Sequence, residues 1–145
     1  QPEHVAVRQQ LRALGVEVRV EPLLHGPIRS AAHCHCRMCQ KAGGAVVMTW
    51  ALVRPETFAL TQGEPRAWWS SARAERRFCP NCGAQITFRH TGAPDELGVA
   101  LATLDDAAQN PATHHIWTES RLPWLDLDGH LQAYRREPGS SIDDA

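Results

Sequence analysis

Cys34-His35-Cys36-Arg37-Met38-Cys39 places three of the chain's five cysteines within six residues, and Cys79-Pro80-Asn81-Cys82-Gly83 holds the other two. A C-x-C-x-x-C run followed by a C-P-x-C-G knuckle concentrates thiolates where a soft divalent ion can be held by several at once. Closely spaced cysteines also lose little extra chain entropy when they converge on one ion. An odd number of cysteines in two short motifs fits reduced, metal-binding thiolates better than a secreted disulfide framework. The chain therefore reads as a zinc protein of the cytoplasm.

Two ligand sets are open on spacing. Cys36 and Cys39 can pair with Cys79 and Cys82 as two C-x-x-C knuckles closing a structural site, with Cys34 left over. Alternatively Cys34, Cys36 and Cys39 take three corners of one zinc and leave the fourth to water or a thiol, the pattern of a catalytic site.

The segments around the two motifs read as short strands. Gly15-Val16-Glu17-Val18-Arg19-Val20 alternates apolar and charged residues until Pro22, residues 23 to 27 read as a turn, and Ile28 to Ala32 leads into the first cysteine motif. After Cys39, Gln40 to Ala42 can form one helical turn before Gly43-Gly44 breaks it, and Ala45 to Val53 is a strongly apolar strand. Thr57 to Leu60, Arg66 to Ser70, Ala74 to Phe78, Ala84 to Arg89 and Leu97 to Leu104 continue the series. The knuckle sits at a hairpin tip, where Gly83 supplies a positive φ, and Asp105 to Ala108 reads as a short helical turn. Trp68 and Trp69 are adjacent, so only one can point inward on a strand. The expected fold is mainly β, with short strands, cysteine loops and little helix.

The 145 residues fit one domain with a real core, and 15 basic against 16 acidic side chains argue against an electrostatic pull to nucleic acid or anionic membrane. No apolar run approaches a membrane span, and Gln1-Pro2-Glu3-His4 does not read as a signal peptide. The expected organisation is a lead-in over 1–13, a zinc-binding domain over 14–134 and a flexible tail over 135–145, which has too little apolar content to pack.

Three stretches in order carry a resemblance: Cys34-His35-Cys36-Arg37-Met38-Cys39-Gln40-Lys41-Ala42-Gly43-Gly44 with Trp50, then Phe78-Cys79-Pro80-Asn81-Cys82-Gly83, then His115-Ile116-Trp117-Thr118-Glu119-Ser120-Arg121-Leu122-Pro123-Trp124. Together they closely resemble the glutathione-dependent formaldehyde-activating enzyme family, which includes the centromere protein V-like proteins. The resemblance implies an antiparallel β-tent with two zinc sites. It assigns Cys34, Cys36 and Cys39 to the catalytic zinc, and Cys79 and Cys82, joined by an N-terminal C-x-C-G, to a structural one. The implied activity is that of a carbon-sulfur lyase or synthase acting on S-hydroxymethylglutathione, with glutathione as the thiol partner. One departure stands out: where C-x-C-G is expected, the chain reads Leu11-Arg12-Ala13-Leu14-Gly15, and no cysteine precedes Cys34. Cys79 and Cys82 are then left to bind nothing, to close a disulfide on oxidation, or to recruit a substitute such as His4 or His25; the second site is expected to be degenerate and empty, with Leu11 and Leu14 packing in its place.

Among other residues, His33 and His35 can serve as a fourth ligand or a base, or can simply alternate around the loop, one solvated and one bonded to backbone. Lys41 can attract a glutathione carboxylate or remain solvated. His115 and Trp117 share a face if their segment alternates as a strand and can wall a pocket, although Trp117 and Trp124 also suit the core. These features support a zinc-dependent enzyme on a small thiol-aldehyde adduct, in a chain that can form oligomers. The competing class is a non-catalytic zinc-stabilised binding module. A redox role for Cys79-Pro80-Asn81-Cys82 lacks the βαβ context of that motif.

Overall fold

The computed structural model describes residues 21–138. Ten strands dominate: β1 (Glu21–Leu24), β2 (Ser30–Cys34), β3 (Met48–Val53), β4 (Phe58–Gln62), β5 (Arg66–Trp69), β6 (Ala74–Phe78), β7 (Gln85–His90), β8 (Leu97–Ala100), β9 (His114–Ile116) and β10 (Gln132–Ala133). The α-helix among these residues, α1 (Arg37–Gly43), follows β2 directly. Eight strands form one sheet in the order β10-β9-β2-β3-β8-β7-β6-β5, while β1 and β4 pair separately. The fold is mainly β and antiparallel, except that β9 lies parallel to both β2 and β10.

Several local expectations shift. The strand expected over Gly15 to Val20, together with Leu11, Leu14 and His4, lies outside the described residues, as do 139–145. Pro22, expected to end a strand, sits inside β1 beside a register shift, which a two-stranded ribbon tolerates because one edge needs no donor. Leu23 and Leu24, expected in a turn, extend that strand. The helix begins at Arg37 rather than Gln40 because the Cys36 sulfur caps it, accepting from the Cys39 N–H at 3.2 Å. Gly44, in the left-handed region at φ 60°, closes its other end. The strand from Leu97 stops at Ala100, where Leu101–Thr103 turn as a 3-10 helix.

Strand parity sorts the interior. On one face of the large sheet Ala32, Cys34, Trp50, Ala100 and Ile116 form a buried cluster with Cys39, and Phe88 packs against it. On the other face Ala51, Val53, Leu97 and Val99 pack with Leu101 and Leu104, covered by Leu24, Ile28 and Phe58. The sheet is buried on both sides in its centre, which explains the apolar run of β3. At its edge β5 exposes both Trp68 and Trp69, and Trp124 is more exposed still, so neither the expected single inward tryptophan nor a core Trp124 is found. β6 and β7 form the expected hairpin, with Cys79 buried against Ile86 at its tip and Gly83 at φ 76°.

Candidate metal centre

The three clustered cysteines straddle a strand-to-helix junction. Cys34 ends β2 opposite Met48 and Ile116, Cys36 caps α1, and Cys39 lies in its first turn. The His35 N–H donates to Ile116 O at 3.0 Å, so the ladder runs one residue beyond the strand and holds the junction extended. In extended chain Cys34 and Cys36 point to one face and His33 and His35 to the other, and the helical turn then swings Cys39 back to the thiol side. The three sulfurs lie within 4.8 Å of one another, and among the described residues no histidine or carboxylate joins them. Cys34 and Cys39 are buried and Cys36 is half-buried.

This donor set fits a thiophilic divalent ion. Zn–S bonds of about 2.3 Å require tetrahedral sulfurs roughly 4 Å apart, within the range found. Two N–H groups already point at the sulfurs: Cys39 N at Cys36, and the Arg76 guanidinium at Cys39 Sγ, 3.5 Å away. Such outer donors stabilise thiolates and orient ligands. Hydrogen bonds with the Cys34 and Cys36 sulfurs, with Arg76 adding to them, hold the Cys39 thiol far below the usual range. Cys34 is pushed up by hydrogen bonding with Cys36 and Cys39 and by burial. Occupation of all three sulfurs by a metal ion would require the thiols still protonated to give up their protons.

Cys79 and Cys82 are not part of this group, so the paired-knuckle arrangement is not formed. No disulfide links any of the five cysteines. Cys82 is exposed, and neither His25 nor another described ligating side chain completes a site with the knuckle.

On the opposite face the histidines build a network. Contrary to the expectation of one solvated and one backbone-bonded ring, both are buried, because both point into the sheet's second layer. His35, 0% exposed, bonds through Nε2 to Nδ1 of His115, 1% exposed, at 2.9 Å, and His115 Nε2 donates to the Asp128 carbonyl at 3.0 Å. A carbonyl only accepts, so a neutral His115 carries its proton on Nε2, accepts through Nδ1, and receives the His35 Nε2–H. His35 Nδ1 is then a bare lone pair, and this buried atom has no partner among the described residues. Burial and the neighbouring His115, Arg121 and His33 lower the His35 pKa to about 4, so the ring is neutral. His33 contacts Thr49 Oγ1 and Asp128 Oδ2, each at 2.8 Å, and the latter bond holds the Asp128 carboxyl below its usual range.

The late motif is a clamp. Trp117 has left the strand at φ 57°, so alternation does not extend to it and it does not share a wall with His115. It packs instead on the cysteine-side cluster and donates to Glu137 Oε1 at 2.9 Å. Glu119 takes Arg136 and Arg135, Thr118 Oγ1 donates to Tyr134 O, and Arg121 donates to the Leu125 and Leu127 carbonyls. That last pair shapes the loop returning Asp128 to the histidines. Gln40 ties helix to clamp, donating to His35 O at 3.0 Å and Ser120 O at 3.3 Å. Lys41 is exposed on α1 between two shallow hollows, one of about 300 Å³ shared with Arg37, Val46 and Leu122, the other of about 190 Å³ shared with Met38, Trp68 and Ser70.

Sequence reasoning missed Arg76, Gln40 and Asp128. A signal existed for Arg76, which stands two residues from Ala74 along β6 and so shares its inward face. For Gln40 and Asp128 there was none, since the bond of Gln40 to Ser120 and that of Asp128 to His33 join segments far apart along the chain.

Among the described residues no helix is long and apolar enough to cross a membrane. None of the curated proteins matches the chain. A solved crystal structure of a Rhodobacter sphaeroides protein is similar, at 24% identity over 59% of this chain and 78% of that one, with a TM-score of 0.48. The model of the glutathione-dependent formaldehyde-activating enzymes matches residues 15–120, a span that takes in the thiol cluster, the knuckle hairpin and the start of the clamp. With most of its length matched, the chain belongs to the glutathione-dependent formaldehyde-activating enzyme family.

Proposed function

We propose that this chain is a zinc-dependent carbon-sulfur lyase or synthase that makes or breaks a small thiol-aldehyde adduct, such as S-hydroxymethylglutathione. The observation that carries this reading is the three-sulfur cluster, which no other ligating side chain among the described residues completes. A site built only for structure is normally closed by four protein ligands, whereas a catalytic one keeps a corner for substrate.

The reaction forms one carbon-sulfur bond and moves one proton from thiol to aldehyde oxygen; cleavage is the reverse. Zinc held by Cys34, Cys36 and Cys39 would supply capture of the substrate sulfur as thiolate. The chain's own groups do the rest. Cys36 caps α1 while serving as a ligand, so the helix and the site form together. Gln40 and the Ile116 carbonyl hold the peptide of His35 from two sides and fix the separation of Cys34 and Cys36, while His115 holds the His35 ring. His35 and His115 thus act as positioning residues, enclosed and bonded to each other. Lys41, with Arg37 beside it, offers positive charge to a substrate carboxylate, a role suited to glutathione. Trp117 shields the cluster from one side. Cys79 and Cys82 belong in this reading to a vestigial second site, without zinc. Five cysteines with no disulfide among them suit a reducing compartment such as the cytoplasm.

The test is turnover of glutathione with formaldehyde by zinc-loaded protein, alongside calorimetry with glutathione alone. Cys36→Ser is expected to abolish both metal binding and turnover. Turnover by a metal-free variant, or no heat of glutathione binding to the loaded wild type, refutes the proposal.

A further inference from the structure

Arg76 stands in the middle of β6, 1% exposed, on the sheet face that carries the thiols. Its Nη2 donates to Cys39 Sγ at 3.5 Å, its Nε to Ser70 Oγ at 3.1 Å, and its guanidinium lies 4.9 Å over the Phe88 ring. Nη1 is buried and has no partner among the described residues. No described carboxylate lies within ion-pair distance, so the sulfurs are the anionic groups at hand for a cation that cannot shed its proton. A buried guanidinium so placed is expensive unless it answers a charge.

The charge it answers can be counted. Three thiolates and a divalent ion sum to minus one, which weakens the ion's pull on a further anion, and Arg76 brings the assembly to zero. A thiolate arriving at the open corner then leaves minus one rather than minus two, whereas a neutral donor leaves no charge at all. In an enclosed site one unit of charge a few ångströms away decides between such ligands.

Resting on the reading of the cluster as a divalent-metal site, we propose that Arg76 is a specificity residue that makes the open corner prefer an anionic sulfur over a neutral donor. The position of its guanidinium is set by Ser70 and Phe88, and its free Nη1 remains available to the arriving group. The acceptor is thus a small thiol bound as thiolate, in preference to an imidazole, amine or water.

The test uses the chain loaded with cobalt(II), whose sulfur-to-metal charge-transfer absorption reports bound thiolates. The protein is titrated with 2-mercaptoethanol and, separately, with imidazole. Relative to wild type, Arg76→Met is expected to lower the thiol-over-imidazole preference by about fivefold or more, and Arg76→Lys, which keeps the charge, to hold it within about fivefold. A smaller loss in Arg76→Met, or a larger one in Arg76→Lys, overturns the proposal. Should Arg76→Met fail to fold, the Arg76→Lys arm decides. A wild-type chain that takes up no cobalt through sulfur refutes the metal reading itself and this proposal with it. Cobalt bound normally with an unchanged preference in Arg76→Met overturns the role of Arg76 alone.

Discussion

His115 makes two hydrogen bonds of unequal value, and two substitutions separate them. Its Nδ1 accepts from His35, which is wholly enclosed, and its Nε2 donates to the carbonyl of Asp128, an exposed residue. Asparagine sets its side-chain oxygen near the position of Nδ1 and can keep the buried bond. Glutamine reaches the position of Nε2, keeps the bond to Asp128, and leaves the His35 N–H unpaired. An enclosed donor without a partner costs about 1–3 kcal/mol, whereas a carbonyl that water can reach loses about 1 kcal/mol or less. Both variants lose the ring's contacts with His33 and His35, whose centroids lie 5.1 Å away, so that loss largely cancels. His115→Asn is therefore expected to be more stable than His115→Gln by about 1–2 kcal/mol, although both fall below wild type. Urea unfolding followed by tryptophan fluorescence, with equal m-values in both variants, measures the difference. Zinc affinity by chelator competition should follow the same order, because the His35 peptide separates two ligands. A His115→Gln protein as stable as His115→Asn, or more so, refutes the assigned proton positions.

Four further outcomes are expected. Protein purified without added zinc should hold one zinc per chain, removed by Cys36→Ser and retained by Cys82→Ser; elemental analysis giving two tightly held ions overturns the vestigial second site. Gly83→Ala should cost about 1 kcal/mol by thermal unfolding, since the position is at φ 76° and an added methyl group meets nothing within 4 Å. The Glu119 carboxyl is held low by Arg136 first and Arg135 next, so its stabilising contribution is complete above the ordinary value of 4.5 and is lost as pH falls through the lowered one. Glu119→Gln should accordingly flatten the acid limb of the stability profile below that value and leave the neutral region little changed in slope. Lys41→Ala should raise the KM for glutathione a few-fold with kcat nearly constant, as loss of an exposed charge contact does, and an unchanged KM removes Lys41 from the site.

Much of the strand series was legible because turn residues punctuate it at short intervals. The hairpin from Ala74 to His90 and the turn at Gly83 follow from local chemistry, and the structure places them within a residue of the expectation. Boundaries failed where a contact outside the segment set them. The sulfur of Cys36 starts α1 earlier than helix propensity suggests, and the exit of Trp117 into left-handed backbone is held by the segment at Tyr134 to Glu137. Trp68 and Trp69 were open to misreading because nothing in β5 itself says that it ends the sheet.

The sequence alone determined the ligand chemistry: three thiols in six residues can converge on one ion wherever they stand, because short spacing makes convergence a local matter. It also carried the family motifs in order. Only the tertiary structure decided what surrounds the thiols. Alternation along an extended segment sent Cys34 and Cys36 to one face and His33 and His35 to the other, and it took pairing with β9 to turn the imidazoles into a buried relay rather than ligands. A strand four places across the sheet then brought Arg76 to Cys39. Charge balance at a buried site depends on groups distant in sequence, and their meeting is set by strand order and register, which no local pattern encodes.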